Sequence, residues 1–236
     1  MPLPIDSFNQ SINMIDALLA LESGYEEPSN ASDTDAVNGL RGGALVLLVA
    51  CFENYVKSHV AHFVTELNVH FISSNEYDFD KLPERIVVLH YFSNVEKFIK
   101  MGKVADRVVL AKKLYINTIA GKMDGDMFAD TRANPNSANV KSIFNNINVE
   151  NIFNAIREDF ISSWGRREID DFISEKLNEI VGKRHEVAHT ARLSLSREDL
   201  KTYVRFIKII CASINSFLAR HLNSLLASCI KDPITA

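Results

Sequence analysis

Six consecutive residues, Arg184-His185-Glu186-Val187-Ala188-His189, support two incompatible chemistries. His185 and His189 flank Glu186 at the HExxH spacing, which puts two imidazoles on one zinc ion with a carboxylate to activate its water. On a helix those imidazoles lie about 40° apart around the axis, close enough to share a ligand. Arg184 and His189 form the other pair, a permanent cation and a titratable ring. A reference pKa of about 6.5 lets the histidine take or give a proton near neutrality, and the guanidinium offers a planar fork of donors to phosphate oxygens. Such a pair can act on an RNA phosphodiester without a metal.

The surroundings disfavour zinc. Lys183 and Arg184 put charge just upstream of HEVAH, and the stretch TARLSL after it holds neither the Gly nor the His of the extended motif. Glu198, Asp199 and His221 are the later candidates for a third ligand, and they fall in a helix or its cap. An all-α chain also has no edge strand on which a substrate peptide could pair. No metal and no cofactor is expected.

The elements that must carry the motif are helical. The 236 residues contain only nine glycines and six prolines, and apolar residues recur at helical rather than alternating spacing. The expected fold class is all-α. A first amphipathic helix covers residues 5–22, with Phe8, Ile12 and Ile15 on its inner stripe. After the turn-rich SGYEEPSNASDTD, Asp35 is placed to cap a long second helix through AVNGLRGGALVLLVACFENYVKSHVAHFVTELNVHF, apolar on nearly every side at its centre. Gly42 and Gly43 in that helix either weaken it or permit close packing. Helices are expected over 83–100 and 103–120, short ones in VKSIFNNI and ENIFNAIREDF, and a firm one over 167–181 with Ile169, Phe172, Ile173, Leu177 and Ile180 on one stripe. Trp164 is expected to start and anchor that helix. Ser196 and Asp199 resemble a capping box for a last helix through about residue 230. The motif then sits at a junction between two helices.

Other candidate sites are weaker. His62, Glu66 and His70 recur at four-residue steps with His59 nearby, but they read as the wet face of the long helix. Asp124 and Asp126 in MDGDMF suggest calcium, yet the twelfth loop position is Pro135 rather than a bidentate Glu. The pairs Gly102-Lys103, Gly121-Lys122 and Gly182-Lys183 lack the upstream glycine of a phosphate loop.

The net charge of −4 argues against a protein that wraps duplex DNA by charge. A local basic patch of Lys183, Arg192 and Arg197 beside the motif still offers an RNA backbone contacts. Cys51, Cys211 and Cys229 have no CxxC spacing and read as buried hydrophobes in a reducing compartment. The first residues, MPLPIDSFNQ, lack the basic start and apolar core of a secretion signal, and no apolar run is judged to reach membrane-spanning length. A cytoplasmic protein with no membrane partner is the expectation.

RHEVAH between two amphipathic helices resembles the R-x4-H motif of HEPN-superfamily ribonucleases. The block ISEKLNEIVGKRHEVAHTARLSLSREDLKTYVRFIKIICASI is similar to the C-terminal half of the RiboL-PSP-like branch, ALVLLVACFENYVKSHV to its early helix with an acidic residue, here Glu53, and ANPNSANVKSIFNNI to a connecting segment. The resemblance implies one HEPN-type helical domain over 1–236, with its core in about 36–72 and 165–230 and a variable insert over 73–164. It also implies a metal-independent endoribonuclease in a prokaryotic toxin–antitoxin or antiviral defence system, restrained by an antitoxin or another partner protein. The site residues would be His189 for proton transfer, Arg184 for the phosphate and His185 as an orienting helper. Glu53 would hold Arg184 or a neighbouring cation, with Asn54 beside it. Five residues separate Arg184 from His189, about 140° on a straight helix, so either the helix breaks between them or a second element completes the cleft. A homodimer, implied by the family, would supply it. The alternatives are a non-catalytic HEPN module that binds RNA, nucleotide or protein, and thirdly the zinc peptidase.

Overall fold

The computed structural model describes residues 3–74, 76–87, 103–105, 107–109, 111–112, 122–129, 134–190 and 195–232, except the side chains of Met127, His189 and Thr190. Among them the fold is all-α. Helix α1 spans Pro4–Glu22 and α2 Thr34–Ser73; α3 (Ser137–Asn145), α4 (Ile152–Ala155) and α5 (Arg157–Trp164) are short; α6 spans Phe172–Thr190 and α7 Arg197–Ser228. Single 3-10 turns lie at Phe79–Lys81 and Gly125–Met127. One isolated β-bridge joins Tyr77 to Ile230.

The 40 residues of α2 form the axis of the bundle, packed against α1, α6 and α7. That explains why its centre is apolar all round: Leu45, Leu48, Phe52, Val56, Val60, Val64 and Leu67 are all buried. The phenol of Tyr55 donates to the Cys211 carbonyl at 2.6 Å and ties α2 to α7 where no water reaches. By length and composition both α2 and α7 could cross a membrane, which corrects the expectation that no run is long and apolar enough. Here 44% and 50% of their most apolar windows are buried inside the bundle. A helix surrounded by helices needs the same apolarity as one surrounded by lipid.

Several boundaries differ from expectation. The cap position of α2 is Asp33, not Asp35, and its side chain makes no capping bond. Trp164 ends α5 rather than starting a helix, and Gly165 follows in the left-handed conformation at φ 87°. The indole stacks on Phe160, packs against Phe172 and Phe206, donates to Glu168 at 2.9 Å and lies under the Arg205 guanidinium. It still anchors the chain, but from the preceding side. Ile169 is 70% exposed and precedes α6, so the inner stripe of that helix begins at Ile173. The helices expected over 83–100 and 103–120 lie mostly outside the described residues, although 84–87 and every described position of 104–112 are helical. The box at Ser196 forms in full, with the serine accepting from the Asp199 amide and Asp199 from the Ser196 amide.

Candidate functional site

The sequence reading ended the motif-bearing helix near residue 181. In the structure α6 continues unbroken to Thr190, so all six motif residues are helical. Gly182, whose absent Cβ would meet nothing, is the first residue beyond that expected end. Its cost in a helix is about 1 kcal/mol, small beside the neighbours that favour helix, Lys183, Arg184, Glu186 and Ala188, and the inward contact of Val187. The motif forms the last turns of α6, just ahead of α7, and no break lies between Arg184 and His189. Of the two ways to bring that pair together, only a second element remains.

Gly42 makes the placement possible. A Cβ built there would come within 3.1 Å of Val187 Cγ1, so the backbone of α2 lies directly under the motif turn of α6. Gly43 next to it meets nothing. Gly42→Leu should therefore overpack this crossing, with an expected loss of about 1–3 kcal/mol and a lower urea midpoint. Gly43→Leu, which meets no neighbour at its Cβ and removes a helix-interior glycine, should hold or raise the midpoint.

Arg184 and His185 line an open cleft of about 720 Å³, with Asn134, Asn136, Ser137 and Asn178 on its other walls. Three bonds build the amide side of it. Asn178 Oδ1 accepts the Ser137 N–H at 2.9 Å, Asn136 Oδ1 accepts the Asn139 N–H at 2.9 Å, and Asn139 donates to the Asn134 carbonyl at 2.7 Å. With its oxygen held by Ser137, Asn178 keeps its amino group for other contacts. Among the described residues Arg184 has neither a carboxylate partner nor a hydrogen bond, whereas Arg41, Arg157, Arg197 and Arg220 each close an ion pair. A guanidinium placed in a cleft without a counter-ion is ready for an anion from outside.

The other candidates fare differently. Lys183 reaches Glu186 at 3.2 Å along the exposed side of α6. Glu53 holds Lys57 at 2.6 Å, one turn along α2. Asn54 is exposed, and its carbonyl accepts from Ser58. The side chain of His189 and the whole of Arg192 lie outside the described residues.

Arg197 is a correction. Its guanidinium donates to the buried Glu22 carboxylate at 2.6 Å and to the carbonyls of Glu22 and Tyr25, so it is committed to the protein and is not part of a basic patch. Arg41 completes the network, bonding Glu22 at 2.5 Å, Glu27, and the Leu195 carbonyl at 3.0 Å. The network ties the end of α1 to α2 and to the segment by which the chain leaves the motif for α7. Sequence reasoning missed it because nothing local marks Glu22, 175 residues from Arg197, as its partner. Charged positions on otherwise apolar turns, Glu22 and Arg41, were the available signal.

The histidine row of α2 does not converge either. His62 Nδ1 lies 4.0 Å from Glu66, His70 packs edge-on to Tyr77, and His59 is buried against Tyr55. In MDGDMF the Asp124 carboxylate accepts the Asp126 N–H, making a turn.

No curated protein and no solved structure matches the chain significantly. The family model of RiboL-PSP-HEPN matches residues 9–220, from α1 well into α7 and through everything between. With that match and an all-α bundle that sets the Arg-x4-His residues on a single cleft-forming helix, the chain belongs to the RiboL-PSP-HEPN family.

Proposed function

We propose that the protein is a metal-independent endoribonuclease that works through Arg184 and His189, with His185 assisting. The observation that carries this is Arg184, set in an open cleft on the motif helix of a HEPN-family chain with no anionic partner among the described residues. In the reaction His189 accepts the proton of an RNA 2′-hydroxyl. The 2′ oxygen attacks the adjacent phosphorus, the bond to the 5′ oxygen breaks, and that oxygen leaves with a proton taken from solvent water, to which His189 later returns its own. The products are a 2′,3′-cyclic phosphate and a 5′-hydroxyl. Arg184 donates to the phosphate oxygens as charge builds on them, and His185 orients or hydrogen-bonds the same group.

A continuous α6 holds Arg184 and His189 about 140° apart, so one copy does not bring both to one phosphate along a single face. A homodimer that pairs Arg184 of one copy with His189 of the other resolves this. The proposal extends to a prokaryotic toxin–antitoxin or antiviral defence setting, in which a partner protein restrains the cleavage.

The test is cleavage of RNA in excess chelator, with analysis of the ends. Undiminished cutting that leaves cyclic phosphate is expected. Loss of activity restored by zinc would return the HEVAH peptidase chemistry to consideration, and RNA binding without cutting would point to a non-catalytic module.

A further inference from the structure

The Arg184 cleft runs along α6 rather than ending at the motif. Asn178, Val181, Gly182 and His185 recur at helical spacing on one face and line it, with Arg184 beside them. Asn178 and Arg184 are about 9 Å apart along the helix axis, which is the scale of one nucleotide from its phosphate to the far edge of its base.

Two residues of this strip have more to offer a ligand than the fold uses. Gly182 is exposed in the middle of α6, and a Cβ there would meet nothing within 4 Å, so no neighbour requires a glycine. A glycine inside a helix costs stability, and what it gives in return at this place is bare backbone that a flat group can approach closely. Asn178 is also exposed, and its amide has a fixed orientation. The Ser137 N–H can only donate, so the atom it meets at 2.9 Å must be the Asn178 oxygen. The amino group, with two N–H donors, closes no hydrogen bond among the described residues. Asn136 is set in the same way, its oxygen accepting the Asn139 N–H. Both asparagines thus have their oxygens engaged by the first turn of α3, which leaves N–H donors to meet a ligand. Among the described residues no carboxylate lines the cleft.

We infer that Asn178 selects the base beside the scissile phosphate by donating to a ring carbonyl. This rests on the reading in which Arg184 holds that phosphate. The base lies over Gly182, and the Asn178 amino group meets O6 of guanine or O4 of uracil. Adenine and cytosine carry an amino group at the same place, so donor would face donor and both would go unpaired. Keto bases are therefore preferred to amino bases. Asn178 is a specificity residue and takes no part in the proton transfers.

The test uses the full chain and deoxyoligonucleotides that contain a single ribonucleotide, which confines cutting to one phosphate. The base on its 5′ side, and then the base on its 3′ side, is made G, U, A or C, with inosine as the keto counterpart of adenine. At one of the two positions the wild type should show a kcat/KM about tenfold or more higher for keto bases, with inosine behaving as guanine. Asn178→Asp keeps the shape and the acceptor for the Ser137 N–H but replaces the donors with a carboxylate, so the preference should reverse toward adenine and cytosine. Damage to the fold would lower all rates and reverse nothing. Gly182→Leu leaves Asn178 in place and removes a helix-interior glycine, so it should hold or raise the urea midpoint while lowering kcat/KM several-fold. All-deoxy versions, which lack the 2′-hydroxyl and cannot be cut, read the same preferences as Kd. Equal rates and affinities for all bases at both positions, or a wild-type preference that survives in Asn178→Asp, would overturn the role of Asn178 and leave the nuclease reading standing. A Gly182→Leu protein as active as the wild type would overturn the placement of the base. Keto-selective binding without any cutting would support Asn178 as the base contact and overturn the nuclease reading, and failure to bind any oligonucleotide would overturn both.

Discussion

Arg184→Ala should lower the rate of RNA cleavage by about 10²–10³-fold, the cost of removing one donor aimed at charge that develops in a transition state. The loss should fall on kcat more than on KM, because the phosphate oxygens gain charge as the 2′ oxygen attacks and the fork is worth most at that moment. Arg184→Lys should recover only part of the activity, since an ammonium keeps the charge but loses the planar pair of donors. Stability should hardly change. Among the described residues Arg184 closes no ion pair, so truncating it strands no buried partner. The readouts are single-turnover and steady-state kinetics beside a urea melt. A variant that cuts at the wild-type rate would remove Arg184 from the chemistry, and one that loses several kcal/mol would make it a structural residue. Mixing Arg184→Ala with His189→Ala adds a test of the dimer. If the site is composite, mixed dimers regain one intact pair and part of the activity, and if each copy works alone the mixture stays dead.

Glu22→Ala is expected to have the largest effect on the fold, about 3–5 kcal/mol, because it leaves the Arg41 and Arg197 guanidinium groups packed without the carboxylate they share. That is a large share of the roughly 5–15 kcal/mol by which domains are stable. Glu22→Gln keeps the shape and some of the hydrogen bonds and should cost less. Burial by itself would raise the Glu22 carboxyl, but the hydrogen bonds and charges of Arg197 and Arg41 outweigh it and hold the group below its ordinary value. The sign follows from that direction. A carboxyl with a lowered folded pKa contributes stability that is present above its unfolded pKa and disappears as pH falls through the folded one. Urea midpoints of wild type and Glu22→Gln should thus be well separated at neutral pH and converge in acid. A constant gap would show that the carboxylate charge is not what holds the network. Because Arg41 also grips the Leu195 carbonyl, hydrogen exchange at the start of α7 should quicken in Glu22→Ala.

Much of this was legible in the amino-acid order. The helical period of α1, the all-round apolarity of α2 and the box at Ser196 are local properties, set by side chains within a few residues of each other, and the structure reproduces them. The family was legible as well, since Arg184, His185 and His189 and the blocks around them lie in continuous stretches. What failed was the end of α6. The contact between Val187 and Gly42, which lies 145 residues back in the chain, is not visible locally.

Sequence by itself determined the class of fold and the family motif that Arg184 and His189 share, because periodicity and motif spacing are written over short distances. Tertiary structure alone decided which cations close ion pairs among the described residues. Arg184 and Arg197 are both arginines beside the same motif, but Glu22 folds back to claim one of them, while the other is left facing a cleft walled by Asn136 and Asn178. Charge is a property of the residue, and availability is a property of what packs against it.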